Sequence, residues 1–239
     1  MNMTKLTLVV PTYNLSHYFD DTLATIAAQT EAFELWLIDD HSTDGTAEKA
    51  VQFANGIPMF HVEQFTAHQG VSAARNFGIT HASGDAVAFV DGDDRLHPDY
   101  VKTLAQGFQA DTPAVAVGYR WWSQPLDQRD HYEQISQRAM FQQASRHGSE
   151  VGGYIWNKAY SLPALRQQQL LFDESLTIAE DYLFTATFVA NNPGIYRYDP
   201  AVRYTKVNRP GSTIHSRSLA ERRVENQVFD QIYRLGEYL

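Results

Sequence analysis

Four short and largely apolar runs, LTLVV (6–10), ELWLI (34–38), MFHV (59–62) and AVAFV (86–90), are separated by segments of helical period. Between the first two, Phe19, Leu23, Ile26 and Ala27 share one side of a helix predicted over 16–29. Further helices are predicted at about 46–54, 70–82 and 99–108, with a strand at AVAVGY (114–119). A strand that is apolar on both faces must be buried on both faces. The alternation therefore predicts an α/β chain with a mostly parallel central sheet and helices on both faces. In such sheets ligands gather outside the carboxyl ends of the strands. Tyr13 and Asn14, Asp39 and Asp40, and Asp91 to Asp94 each follow a strand, so all three polar clusters should line one edge.

The second half is less regular. Residues 120–150 are polar and Gln-rich. Helices are expected near 134–145 and 179–190, strands near 195–198 and 201–206, and a C-terminal helix over 217–235. No repeat or interdomain linker interrupts the chain, which predicts a single domain over 1–239.

Hydrophobic residues form 44% of the 239, enough for a sizeable core. The net charge of −9 argues against nucleic acid as a partner, since such binding depends on clustered positive charge. Without cysteine, thiolate metal sites, disulfides and cysteine nucleophiles are excluded. The opening MNMTKLTLVV is too short for a signal-peptide core, and no apolar run approaches bilayer-spanning length, so a cytoplasmic chain is expected.

The acidic clusters carry the chemistry. In AFVDGDD, Asp91, Asp93 and Asp94 repel one another unless a cation relieves them, and Mg²⁺ or Mn²⁺ prefers such oxygen donors. Gly92 would let the backbone approach a ligand. A polar turn capping the next helix is the competing reading. In IDDHSTDGT, Asp44 and Thr46 have a sufficient role at a helix start, whereas Asp39 and Asp40 do not. Tyr13 in VVPTYN offers a ring on which a base could stack. Arg75, beside Ala73 and Ala74 in GVSAARNFGI, could reach a phosphate or a carboxylate. Glu180 and Asp181 open a helix, where the dipole favours carboxylates; a general base on a rigid element is the functional alternative.

Taken in order, VVPTYN, IDDHSTDGT, GVSAARNFGI, FVDGDD, IWNKAY (155–160), AEDYLF and VNRPGST (207–213) resemble the family-2 glycosyltransferases with the GT-A nucleotide-diphospho-sugar transferase fold. The resemblance covers nearly the whole chain. It implies a nucleotide-sugar-binding half at about 1–118, and an acceptor-binding half with the C-terminal helix at about 119–239. It implies that Pro11, Tyr13 and Asp40, with Asn14 and Arg75 beside them, hold the nucleotide of a donor that is most often a UDP-sugar. Asp91 and Asp93 would form the D-x-D pair for Mn²⁺ or Mg²⁺, with Asp93 the direct ligand and Asp94 next to it. Asp181 would be the base of an inverting transfer and Glu180 its neighbour. Trp156 and Asn157 would line the side of a saccharide or polyprenyl-linked acceptor. Arg209 and His215 would close over the diphosphate, His215 also serving the metal.

Other classes fit less well. An aspartate-nucleophile phosphohydrolase needs D-x-D after the first strand, and a nucleotidyltransferase needs an N-terminal phosphate loop. A dinucleotide oxidoreductase needs G-x-G-x-x-G where PTYN stands. A non-catalytic binder on the same fold would be expected to lose Asp93 or Asp181, and both are present. Arg217, Arg222 and Arg223 on the last helix would suit an anionic membrane surface, but an ordinary packed helix with its charges in solvent is the favoured reading.

Overall fold

The computed structural model describes residues 3–121, 131–208, 218–237 and 239. The first half alternates as its periodicity predicts: β1 (Leu6–Thr12), α1 (Tyr18–Ala27), β2 (Glu34–Asp39), α2 (Thr46–Ala54), β3 (Phe60–Gln64), α3 (Val71–His81) and β4 (Ala86–Phe89). Then come β5 (Arg95–Leu96), α4 (Tyr100–Gly107) and β6 (Ala114–Trp121). The second half supplies β7 (Glu133–Ser136), α5 (Gln137–Ala144), β8 (Lys158–Ser161), α6 (Leu162–Gln168), α7 (Glu180–Asn191), β9 (Ile195–Lys206) and α8 (Leu219–Gly236).

The strands join one mixed sheet in the order β3-β2-β1-β4-β8-β6-β9-β5, with β7 paired to β9. β3, β2, β1 and β4 run parallel, as expected. Beyond β4 the sheet departs from the expected parallel run, because β8 is inserted antiparallel between β4 and β6. Two antiparallel steps restore direction, so β6 points the same way as β4, and β9 is parallel to β6. The ends of β1, β2, β4, β6 and β9 therefore meet at one edge. That topology brings Trp121 and Lys206 to the edge where Tyr13, Asp40 and Asp91 lie.

Leu8, Val9, Val10, Leu35, Leu37 and Ile38 are fully buried. Each such side chain contributes about 1.5–3 kcal/mol by leaving water. α3 lies close on β1, since a Cβ at Gly78 would overlap the Val9 side chain. Every other predicted element of the first half appears within a few residues of its expected bounds.

The second half differs in three places. The segment expected as a helix over 134–145 begins as strand β7, where Ile135 faces Tyr196 of β9. The helix starts only after Ser136, whose side chain accepts the Ala139 N–H. The two strands expected at 195–198 and 201–206 are one, β9. Pro200 is tolerated because the β6–β9 register shifts on both sides of Gly118, and bulges admit proline. β8 and α6 were not expected at all. α8 packs through Glu225, Val228 and Ile232, with Arg222 and Arg223 exposed, in keeping with a packed helix; Arg217 lies outside the described residues. Among the described residues no helix is long and apolar enough to cross a membrane.

Candidate active site

The loop after β4 is built into the fold from both sides. Its turn is closed by the Asp94 N–H donating to Asp91 O (3.1 Å). Buried Thr22 of α1 places its hydroxyl 2.9 Å from Gly92 O and 2.8 Å from Asp94 O. From β9, the Tyr204 hydroxyl donates to Asp94 Oδ2 (2.6 Å) and accepts the Asp91 N–H (3.2 Å). Gly92 serves the protein's own packing: a Cβ there would stand 2.5 Å from Leu15 Cδ1 and 3.1 Å from Pro11 O.

The three carboxylates are not equivalent. Oxygens of Asp91, Asp93 and Asp94 lie within 4.8 Å of one another. Asp94 is 0% exposed and also accepts the Val207 N–H (2.7 Å) and Lys206 Nζ (2.9 Å). Burial, with Asp91 and Asp93 nearby, pushes Asp94 up to about 7 despite Lys206. Burial would raise Asp91 too, but Lys206 and Arg75 outweigh it and hold that carboxyl at about 2. Asp91 and Asp93 line the cleft, and Asp94 does not.

Arg75 ties this loop to α7. Its guanidinium is buried in α3, against the Phe172 ring (5.3 Å to the centroid). It donates to Glu180 Oε1 (2.9 Å) and to Asp91 Oδ1 (3.2 Å). Of the readings open in the sequence, the carboxylate partner is the one observed. α7 is aimed at the cleft by Ala179, whose left-handed φ of 59° is strained for a residue with a Cβ. Asp181 follows, its Oδ1 accepting the Tyr182 N–H (2.8 Å). Burial and the adjacent Glu180 charge raise Asp181 to about 7, with Arg75 opposing.

The other loops meet across the same edge. The Asp40 carboxylate accepts the N–H groups of Gln69 (2.6 Å) and Gly70 (2.7 Å) and lies 2.8 Å from His68 Nδ1. His68 in turn packs on Tyr13, ring centroids 4.3 Å apart, and Tyr13 is 43% exposed. Asn14 turns away from the cleft. Its Oδ1 accepts the Thr43 N–H (2.9 Å) and its N–H donates to Ser42 Oγ (2.9 Å), which locks the first two loops together. Asp44 and Thr46 hold the α2 start, as their types imply (Thr46 Oγ1 to Asp44 Oδ1, 2.6 Å).

A cleft of about 430 Å³ joins these groups, a size suited to a small organic ligand. Pro11, Tyr13, Asp40 and Arg75 line one part, and Glu180 and Asp181 another. Trp121, Tyr154, Trp156 and Tyr182 form an aromatic wall, with Tyr154 stacked on Trp156 (4.8 Å, 15°).

Asn157 corrects an expectation, because it does not reach the cleft. It is 0% exposed, and its amide donates to Val117 O (3.1 Å) and Val151 O (2.9 Å). Its neighbour Lys158 is also buried, donating to Val151 O (3.1 Å), Tyr154 O (2.7 Å) and Asn157 Oδ1 (2.6 Å). Arg209 and His215 lie outside the described residues.

The lining residues that the sequence reading missed include His68, Lys206, His147 and Glu225, besides Trp121, Tyr154 and Tyr182 of the aromatic wall. Glu225 sits on the buried stripe of α8, and a carboxylate among apolar stripe positions was a usable sign. It meets His147 at 3.3 Å. Lys206 shares a strand face with Tyr204, which period-two reading could have found.

Comparison with known proteins bears on all of this. The model described as "Glycosyl transferase family 2" matches residues 7–170. Over 119 residues the chain is 40% identical to glycosyltransferase GlyA of Streptococcus pneumoniae, taking in 48% of this chain and 16% of that protein. The structure of S. aureus TarS 1-349 in complex with UDP-GlcNAc superposes with a TM-score of 0.75 at 23% identity, over 94% of this chain and 65% of that one. The mannosyltransferase PcManGT of Pyrobaculum calidifontis, in complex with GDP-Man and Mn²⁺, gives 0.68 at 20% identity, over 98% and 64%. Both likenesses establish a shared fold. In all three the chain spans less than two-thirds of the other protein's length.

Proposed function

Because the chain belongs to glycosyl transferase family 2, we propose that it moves a sugar from a nucleotide-diphosphate donor, a UDP-sugar, to a hydroxyl of a saccharide or lipid-linked acceptor, inverting the anomeric carbon. The observation that carries this reading is the division of labour between the paired carboxylates of α7. Glu180 is engaged by Arg75, whereas Asp181 faces the same cleft with its carboxyl raised to about 7. A carboxylate in that range suits a general base near neutral pH.

In this reading Pro11, Tyr13 and Asp40 receive the nucleoside, Tyr13 through its exposed ring. Asp40 also fixes His68 beneath that ring. The acceptor lies along Trp156 and the neighbouring aromatic side chains, which exclude water from one face. Its hydroxyl oxygen attacks the anomeric carbon opposite the diphosphate. The bond to the diphosphate breaks as the new bond forms, and the proton passes to the Asp181 carboxylate. One base suffices, unlike hydrolysis with its two flanking carboxylates.

The donor set of Asp91 and Asp93 consists of hard oxygen atoms and fits Mn²⁺ or Mg²⁺. When bound there, a divalent cation supplies charge to the leaving diphosphate. Arg75 keeps Asp91 in place on this side.

Calorimetric titration of UDP with and without Mn²⁺ tests the donor reading. Binding that needs Mn²⁺ and is lost in Asp93→Ala is expected. Equal binding without metal, or an unaltered Asp93→Ala, would remove the metal from the scheme.

A further inference from the structure

We propose that Lys206 is a built-in counter-ion that holds the cation position of the carboxylate cluster in the free protein and is displaced from Asp91 when a divalent cation binds. The inference rests on the metal reading above and concerns a residue that reading leaves without a role. Lys206 Nζ lies 2.6 Å from Asp91 Oδ2 and 2.9 Å from Asp94 Oδ2. It thus bridges two members of the trio whose oxygens lie within 4.8 Å of one another. Arg75 holds Asp91 Oδ1 and Lys206 holds Oδ2, so a cation coordinated through Asp91 would compete with a bound positive charge, and like charges so close repel strongly in a buried site.

The surroundings allow the exchange. Lys206 ends β9, and the next residue is fastened by its own N–H to Asp94 Oδ1 (2.7 Å), so the side chain can move while the backbone stays. Asp94, fixed by Tyr204 and Val207, keeps one partner for the ammonium after Asp91 is given up. Asp94 is accordingly the anchor of Lys206, and Asp91 with Asp93 are the metal ligands. Asp91 lies in the field of both Arg75 and Lys206, and Asp93, Asp94, Glu180 and Asp181 add further negative charge nearby, so a second cation enters a strongly acidic setting.

The experiment is binding of Mn²⁺ alone, followed by the electron-paramagnetic signal of free Mn²⁺, to wild type, Lys206→Met, Lys206→Arg and Asp93→Ala. Removing the competitor should tighten Mn²⁺ binding about tenfold in Lys206→Met. Lys206→Arg, which keeps the charge, should stay near wild type. Mn²⁺ should also raise the melting temperature of Lys206→Met more than that of wild type. Should the methionine variant fail to fold, Lys206→Gln carries the same expectation. Equal or weaker Mn²⁺ binding in the neutral variants, with wild type binding normally, overturns the counter-ion role and leaves the metal reading standing. Mn²⁺ bound by none of the proteins, with or without UDP, or bound undiminished by Asp93→Ala, overturns the metal reading and this inference with it.

Discussion

Arg75 and Glu180 meet at 2.9 Å, and the same guanidinium holds Asp91 at 3.2 Å. One buried side chain of α3 thereby fixes the spacing between the acidic loop after β4 and the start of α7. Replacing it by Met leaves two carboxylates in a cleft without their shared partner. Arg75→Met should cost about 3 kcal/mol of stability, read from urea unfolding, because an uncompensated buried charge is expensive. Arg75→Lys should recover only part, since one ammonium cannot reproduce the two-pronged contact. Wild-type stability in Arg75→Met would show that the fold fixes the two loops without it.

Asp181 gives a pH prediction with a definite sign. Its carboxyl stands at about 7 against an ordinary 3.8, so it becomes a base only as pH rises through about 7. Transfer should therefore increase across that range. Asp181→Asn should lower the rate by about 10²–10⁴-fold and leave UDP affinity unchanged. Stability runs the other way. The native state binds the proton more tightly, so this group's contribution is complete below about pH 4 and is lost as pH rises through 7. Asp181→Asn should consequently be more stable than wild type at pH 8, with the difference shrinking as pH falls below 7. A pH–rate profile that is flat between 5 and 8 would exclude Asp181 as the base.

The first half was legible because its information is local. Strands buried on both faces advertise themselves as unbroken apolar runs, and the polar residues that follow them fall at one edge by topology alone. Tyr13, Asp40 and Asp91 were found that way. Asn14 and Asp94 were drawn in by the same rule, although their polar groups turn inward to Thr43 and to Tyr204 with Val207. Sequence position cannot tell a carboxylate facing a ligand from one facing its own fold. The second half depends on pairings between distant segments. β8 carries a buried lysine, which disguises it as a surface segment, and its place between β4 and β6 follows from no local pattern. The same insertion sends β9 back to the active edge and delivers Lys206 there.

Lys158 is the remaining test of how the aromatic wall is built. Its three donors match three acceptors, Val151 O, Tyr154 O and Asn157 Oδ1, and that match favours the charged form. Burial works against it, pulling the group down to about 7, with Asp181 opposing. The contacts fold residues 151–157 around the ammonium and present Tyr154 and Trp156 to the cleft. Lys158→Met should leave two buried carbonyls short of a donor, at about 1–3 kcal/mol each. The damage should be confined to one side. Amide exchange should accelerate over 151–157, while 6–12 and 86–91 keep their protection and UDP still binds. If exchange rises equally across the parallel strands, Lys158 holds up the sheet as a whole. If exchange over 151–157 does not change, the aromatic wall stands on Asn157 and ring stacking alone.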